Sequence, residues 1–259
     1  MYRSVRKLST GSNKSNGCNE SNGYNCCNES NGHNCCNESN GGNCCNESND
    51  CNESNDCNEI QKALKGVSMK KVLAFFAEGT EEIECLMVVD ILRRAGVSVE
   101  LIAVAPDKLV KGSHQITILC DKNISELTEN DFSAADLLFL PGGIPGVPHL
   151  EENKSLLEAL QKQFQAGKDL AAICAAPGIF GRLGFLKGQH FTCYPGFEEG
   201  ISDVDGAKWS GKAVEVGKQI ITGRGMGVAL DFALALVERL EGAEKAAQLK
   251  KGVQHPECI

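Results

Sequence analysis

The residue in this chain best placed to do chemistry is Cys174, in the stretch Leu170-Ala171-Ala172-Ile173-Cys174-Ala175-Ala176-Pro177-Gly178. An apolar run ends, a thiol follows, and small residues lead into a helix carrying proline in its first turn, where proline is tolerated. That order of residues suits a nucleophile elbow, with the sulfur raised on a sharp turn above a sheet. The coming helix N-terminus is expected to favour thiolate. An ordinary buried cysteine fits the same nine residues, because cysteine behaves as a small hydrophobe.

Two further groups have suitable chemistry. Glu81, Glu82 and Glu84 open another helix, where the helix dipole alone would favour acids. Glu84 is flanked by Ile83, Cys85 and Leu86, so it is expected to face inward. A buried carboxyl beside a thiol has a raised pKa and can take or give a proton. Pro141-Gly142-Gly143 ends an apolar run. Its amides, with that of Ala175, can point at a developing oxyanion, although a plain strand-ending turn has the same composition.

The elements that would position these groups alternate. Strands are expected over 71–76, 98–105, 116–119, 136–140 and 170–174, with paired strands over 212–216 and 219–222 across Gly217. Helices are expected over 81–95, 151–164 and 175–183, and a last long one over 228–240. Alternation of this kind predicts an α/β fold: a mostly parallel sheet with helices on both faces. Ligands of such sheets bind beyond the carboxyl ends of the strands. Glu84, the glycine turn and Cys174 all follow strands, so they should meet on that edge.

Composition divides the chain into a tail, 1–68, and a domain, 69–259. The tail holds almost no Leu, Ile, Val or Phe and cannot bury a core. Its centre repeats Cys-Asn-Glu-Ser-Asn-Gly-x-Asn-Cys three times from Cys18, then a six-residue unit twice from Cys45. This reads as a low-complexity, disordered tail, with paired cysteines able to hold a soft metal as the alternative. Arg3, Arg6, Lys7 and Lys14, with serines and no acid among residues 1–14, have the composition of a transit peptide or of a short solvated tail.

Of the 14 cysteines, nine lie in the tail and five in the domain, at 85, 120, 174, 193 and 258. An odd, irregular set argues against a disulfide framework and for a reduced compartment. The net charge is −8, without a Lys/Arg stripe in the domain, so no nucleic-acid partner is expected. No apolar stretch is long enough to cross a bilayer. The compartment expected is the cytoplasm, with the mitochondrion as the alternative.

The domain resembles the ThiJ/PfpI family, in its branch of parkinsonism-associated deglycase and bacterial relatives. The resemblance rests on AEGTEEIE (77–84), DILRRAG (90–96), LFLPGG (138–143), AAICAAP (171–177) and TGRGMG followed by DFALALVE (222–238). It implies a flavodoxin-like three-layer sandwich, with Cys174 as the reactive cysteine and Glu84 as the carboxyl that tunes it. Gly143 and Ala175 would supply the oxyanion amides, with Gly142 beside them, and Arg224 would lie near the pocket. It also implies a homodimer, with the helix bearing Arg93 and Arg94 at the interface, and neither metal nor cofactor. Two positions depart from the pattern: Tyr194 stands where some members have histidine, and Gly223 where some have a small hydroxyl residue. Tyr194 is left to donate a hydrogen bond or to line the pocket. His114, His149, His190 and His255 offer no clear substitute.

The resemblance implies an enzyme acting on small reactive carbonyls or glycated protein. It would convert methylglyoxal to lactate without glutathione, or remove early carbonyl adducts. The alternative is an oxidative-stress sensor or redox-regulated chaperone working through oxidation of Cys174. An older family label, thiamine-precursor biosynthesis, finds no phosphate-binding loop here.

Overall fold

The structure is a computed structural model, and it describes residues 69–258. The expectations for the tail, including its repeat, its paired cysteines and its leader-like start, lie outside the described residues. Strands are β1 (Lys71–Ala77), β2 (Ser98–Val104), β3 (Leu109–Lys111), β4 (Thr117–Leu119), β5 (Lys122–Asn123), β6 (Leu137–Leu140), β7 (Asp169–Ile173), β8 (His190–Phe191), β9 (Lys208–Trp209), β10 (Val214–Val216) and β11 (Ile220–Gly223). The α-helices are α1 (Glu82–Ala95), α2 (Glu129–Ala134), α3 (Gly146–Glu152), α4 (Lys154–Gln165), α5 (Pro177–Arg182), α6 (Ala229–Glu241) and α7 (Ala243–Gly252).

Seven strands form one sheet in the order β10-β11-β7-β6-β1-β2-β5. All neighbours run parallel except the edge pair β10 and β11. The expected α/β architecture is therefore present. Strand β1 shows how the sequence encodes two covered faces. Successive side chains of a strand point to opposite sides. Val72, Ala74 and Phe76 enter a core shared with α1, α6 and α7. Leu73, Phe75 and Ala77 enter the core under α3, α4 and α5. A strand buried on both sides reads as an unbroken apolar run, and KVLAFFA does. Each fully buried Phe contributes about 1.5–3 kcal/mol by leaving water.

After β1 the chain moves toward β2 and β5; β6 and β7 lie on the other side of β1. The carboxyl ends of β1 and β6 thus flank a topological switch point, where such sheets open a crevice. Helix α1 begins there. Glu81 caps it by accepting from the Glu84 amide at 2.7 Å. Gly96 closes it at φ 89°, its amide donating to Leu92 and Arg93 carbonyls.

Several elements differ from the sequence reading. The helix expected over 151–164 is two, because Asn153 caps α4 by accepting from the Leu156 amide at 3.0 Å. Helix α3 precedes it with Pro148 in its first turn, where a missing amide proton breaks no helical bond. The helix over 229–241 is not the last: Gly242, at φ 90°, turns the chain into α7. Among the described residues no helix is long and apolar enough to cross a membrane.

Candidate active site

Cys174 occupies the turn between β7 and α5. Its φ is 65°, a left-handed conformation rarely adopted by residues with a side chain. Two neighbouring segments fix that turn. The Cys174 amide donates to the Gly223 carbonyl at 2.9 Å, and the Tyr194 amide donates to the Cys174 carbonyl at 2.9 Å. Gly223 has no room for a larger residue, since a Cβ there would lie 2.9 Å from Ile173 and Phe232 side chains. Ala175 and Ala176 are buried beneath the sulfur-bearing turn, whereas Cys174 itself is half-buried.

Glu84 approaches from α1. Its carboxyl is buried and hydrogen-bonded to the Cys174 thiol. It also accepts from the Gly142 amide at 3.0 Å and from the Met226 amide. Burial raises the Glu84 pKa to about 7, the bond from Cys174 opposing this and the charge of Glu81 adding to it. The three strand-end features expected on one edge are thus brought together there.

The amides divide their work differently from the sequence expectation. Those of Ala175 and Gly143 donate to the Cys174 sulfur. The Gly142 amide is spent on Glu84, so it is not an oxyanion donor. Gly142 is instead a spacer: a Cβ there would lie 2.5 Å from both Cys174 Cβ and Glu84 Oε2. Gly143 holds φ 98° and sits against the backbone of Gly79 to Glu81, which excludes a side chain.

The expectation that a helix terminus lowers the thiol pKa is corrected. Helix α5 spans only six residues, beginning three after the cysteine. Burial pushes the thiol up to about 12, the Glu84 charge and hydrogen bond adding to this, against the two amides. Cys174 and Glu84 therefore titrate as a pair that passes from two protons to one as pH rises through about 7. With that proton on Glu84, the sulfur is a thiolate between two amides.

Tyr194 reaches the site through its backbone, and its ring is exposed. Arg224 follows β11 as expected, but its guanidinium donates to the Gly211 carbonyl at 3.1 Å and its amide to Ala213. Its charge is directed to that loop and not to the thiol. Three histidines are engaged elsewhere: His114 with Glu82, His149 with the Glu78 carbonyl and His255 with Asp231. Sequence reasoning gave no role to Met226 or Gly225. The glycines at 223 and 225 were the available signal, since they let this segment lie against the pair: a Cβ on Gly225 would stand 3.3 Å from the Tyr194 ring and 3.9 Å from Glu84 Oε1.

A cavity of about 460 Å³ lies apart from this chemistry, between α2 and α4, lined by Leu127, Phe132, Ala159 and Gln163 among others. No cysteine or histidine faces it.

The sequence model described as the DJ-1/PfpI family matches residues 70–239. Protein DJ-1 homolog B of Arabidopsis thaliana is 40% identical over 183 residues, 70% of this chain and 41% of that protein. The chain thus spans less than half the length of this plant relative. The glutathione-independent glyoxalase DJR-1.2 of Caenorhabditis elegans is 33% identical over 182 residues, covering 70% of this chain and 92% of that one. Among solved structures, oxidized Toxoplasma gondii DJ-1 superposes with a TM-score of 0.67 at 32% identity, covering 71% of this chain and 98% of the other.

Proposed function

The chain belongs to the DJ-1/PfpI family, and from that premise we propose that it detoxifies or repairs reactive carbonyls through Cys174. The observation that carries this reading is the Cys174 sulfur on its left-handed turn, bonded to the Glu84 carboxyl and to the Gly143 and Ala175 amides. A nucleophile, a proton carrier with a pKa near neutrality and two amides that can pass from the sulfur to a developing oxyanion meet at one point. The related glyoxalase of Caenorhabditis elegans supports the same class of reaction.

For methylglyoxal the steps balance as follows. The thiol proton passes to Glu84 and the sulfur adds to the aldehyde carbon. The carbonyl electron pair moves to oxygen, held by the two amides, and the oxygen is protonated. Glu84 gives that proton, then takes the proton from the former aldehyde carbon and returns it to the neighbouring carbon, while the hydroxyl proton passes to the ketone oxygen, leaving a lactoyl thioester. Water hydrolyses the thioester, releasing lactate and the free thiol. Deglycation would use the same thiol and carboxyl on a carbonyl adduct of protein. No step needs a metal or cofactor.

The test is lactate formation from methylglyoxal by the full chain and by Cys174→Ser. The expected result is turnover by the wild type and none by the variant. Lactate from Cys174→Ser at the wild-type rate overturns the mechanism.

A second reading is favoured by the partial exposure of Cys174. Peroxide oxidises Cys174 to the sulfinate, two peroxides each leaving as water, and protonated Glu84 with the two amides holds the product. Wild type that forms no lactate but gains two oxygen atoms on Cys174 under peroxide supports this sensor reading. Self-association into a homodimer is supported by the exposed apolar residues Ile83 near the start of α1, Leu109 on β3, Ile116 just before β4 and Leu119 on β4. Arg93 and Arg94 are engaged within the chain, with Asp121 and Asp90. We place the protein in the cytoplasm, with the mitochondrion as the alternative.

A further inference from the structure

The groups around the Cys174–Glu84 pair differ in kind from the pair itself. Tyr194 is 52% exposed, and its ring and the Glu84 carboxyl both border Gly225, where an added Cβ would lie 3.3 Å from the ring and 3.9 Å from Glu84 Oε1. Phe197 meets that ring edge-on, with centroids 6.2 Å apart and planes at 82°. It is 39% exposed. Met226, whose amide binds Glu84, and Ile144, next to Gly143, also leave their side chains in solvent. The nearby cation is withdrawn, since Arg224 is tied to the Gly211 carbonyl. The charge on this loop is negative: Glu198 accepts from the Gly196 amide at 2.6 Å.

Exposed aromatic rings fixed by their backbone lose little freedom on contact and present a large apolar face. Here the Tyr194 amide donates to the Cys174 carbonyl itself, so the ring is anchored at its backbone beside the sulfur-bearing residue. We propose that Tyr194 and Phe197 form an aromatic shelf that selects the substituent of the carbonyl substrate. The shelf favours α-oxoaldehydes carrying an aryl group over glyoxal, and it gives an anionic substituent no partner. This rests on the carbonyl reading above and adds a specificity determinant to it. In the selective step the sulfur–carbon bond forms and the carbonyl electron pair moves to oxygen. The oxygen takes the thiol proton by way of Glu84, and the substituent comes to lie on the Tyr194 ring. The ring does this work, not the hydroxyl.

The experiment uses the full chain with phenylglyoxal and glyoxal and has two readouts. One is kcat/KM for each aldehyde. The other is protection of Cys174 from iodoacetamide, followed on the Cys174 peptide by mass spectrometry. Each aldehyde is normalised to its addition to a small free thiol. The wild type is expected to prefer phenylglyoxal about tenfold in both readouts. Tyr194→Phe keeps that preference, Phe197→Ala weakens it, and Tyr194→Ala removes it. Equal normalised values in the wild type overturn the shelf, as does an unchanged preference in Tyr194→Ala. Loss of preference in Tyr194→Phe also overturns it, by assigning the effect to the hydroxyl. Lactate from methylglyoxal without aryl preference rejects the shelf and leaves the carbonyl reading standing. Selective protection without turnover of any aldehyde rejects catalysis and leaves the shelf standing.

Discussion

Glu82 and Glu84 lie two residues apart in the first turn of one helix, both buried, at 2% and 1% exposure. Their environments are opposed. Residues two apart project from different sides of a helix. Glu82 faces the loop between β3 and β4, and accepts from the His114 amide at 2.7 Å, the Ile116 amide at 3.3 Å and the Ser113 hydroxyl at 3.2 Å. Burial is the largest single influence on Glu82 and raises its pKa, yet its hydrogen bonds together bring the net shift down. Glu84 faces Cys174, has fewer fixed donors, and is held up near 7. Burial alone does not make a carboxyl reactive. The donors around it decide whether it serves as a structural anion or as a proton carrier.

The largest effect that would break this contrast is on chemistry. Glu84→Gln should lower kcat for lactate formation by about 10²–10⁴-fold, the usual span of a general acid–base contribution. In the wild type kcat/KM should rise with pH through about 7 as Glu84 becomes able to accept the thiol proton. In Glu84→Gln that rise should vanish. Glu82→Gln, measured beside it, should keep both the rate and the pH profile. Equal losses in the two variants would erase the distinction.

The next effect is on stability as a function of pH. Between pH 4.5 and about 7 the folded chain keeps a proton on Glu84 that the unfolded chain has lost. Stability therefore falls as pH rises through that window, by on the order of 3 kcal/mol at about 1.4 kcal/mol per pH unit. Urea unfolding of Glu84→Gln should lack this fall. Glu82 has the opposite sign. Its contribution is present above pH 4.5 and is lost as pH falls through its lowered folded pKa.

Two glycines sharpen the comparison further. Gly142→Ala would force a Cβ between Cys174 and Glu84, and Gly112→Ala would drive one into the Glu82 carboxylate. Each should cost about 1–3 kcal/mol in stability by overpacking. Only Gly142→Ala should also remove activity, which parallel thermal unfolding and lactate assays would reveal. The smallest effect belongs to His114→Ala. Its ring is exposed, and the amide donors to Glu82 persist, so a loss below about 1 kcal/mol by urea titration is expected.

Much of this site was legible in local sequence. Apolar runs such as KVLAFF and DLLFL encode strands covered on both faces, and the glycines after them encode turns. That reading placed Cys174, Glu84 and Gly143 on one edge. Other features were hidden, for definite reasons. The cap at Asn153 splits a helix through one side-chain bond that periodicity does not record. The role of Met226 rests on a backbone amide, and any residue but proline supplies one.

The sequence by itself determined the alternating elements, the carboxyl-edge placement of a thiol and an acid, and the lack of a histidine in the Tyr194 position. Each follows from short-range periodicity or residue type. Only the tertiary structure decided that the Gly142 amide goes to the carboxyl and that Arg224 turns away to Gly211. It also reversed the expected direction of the thiol pKa. The partners in these contacts lie from 13 to 90 residues apart in the chain (Arg224 and Gly211, Cys174 and Glu84). Desolvation and charge coupling depend on distances in the folded chain, which a linear pattern does not carry.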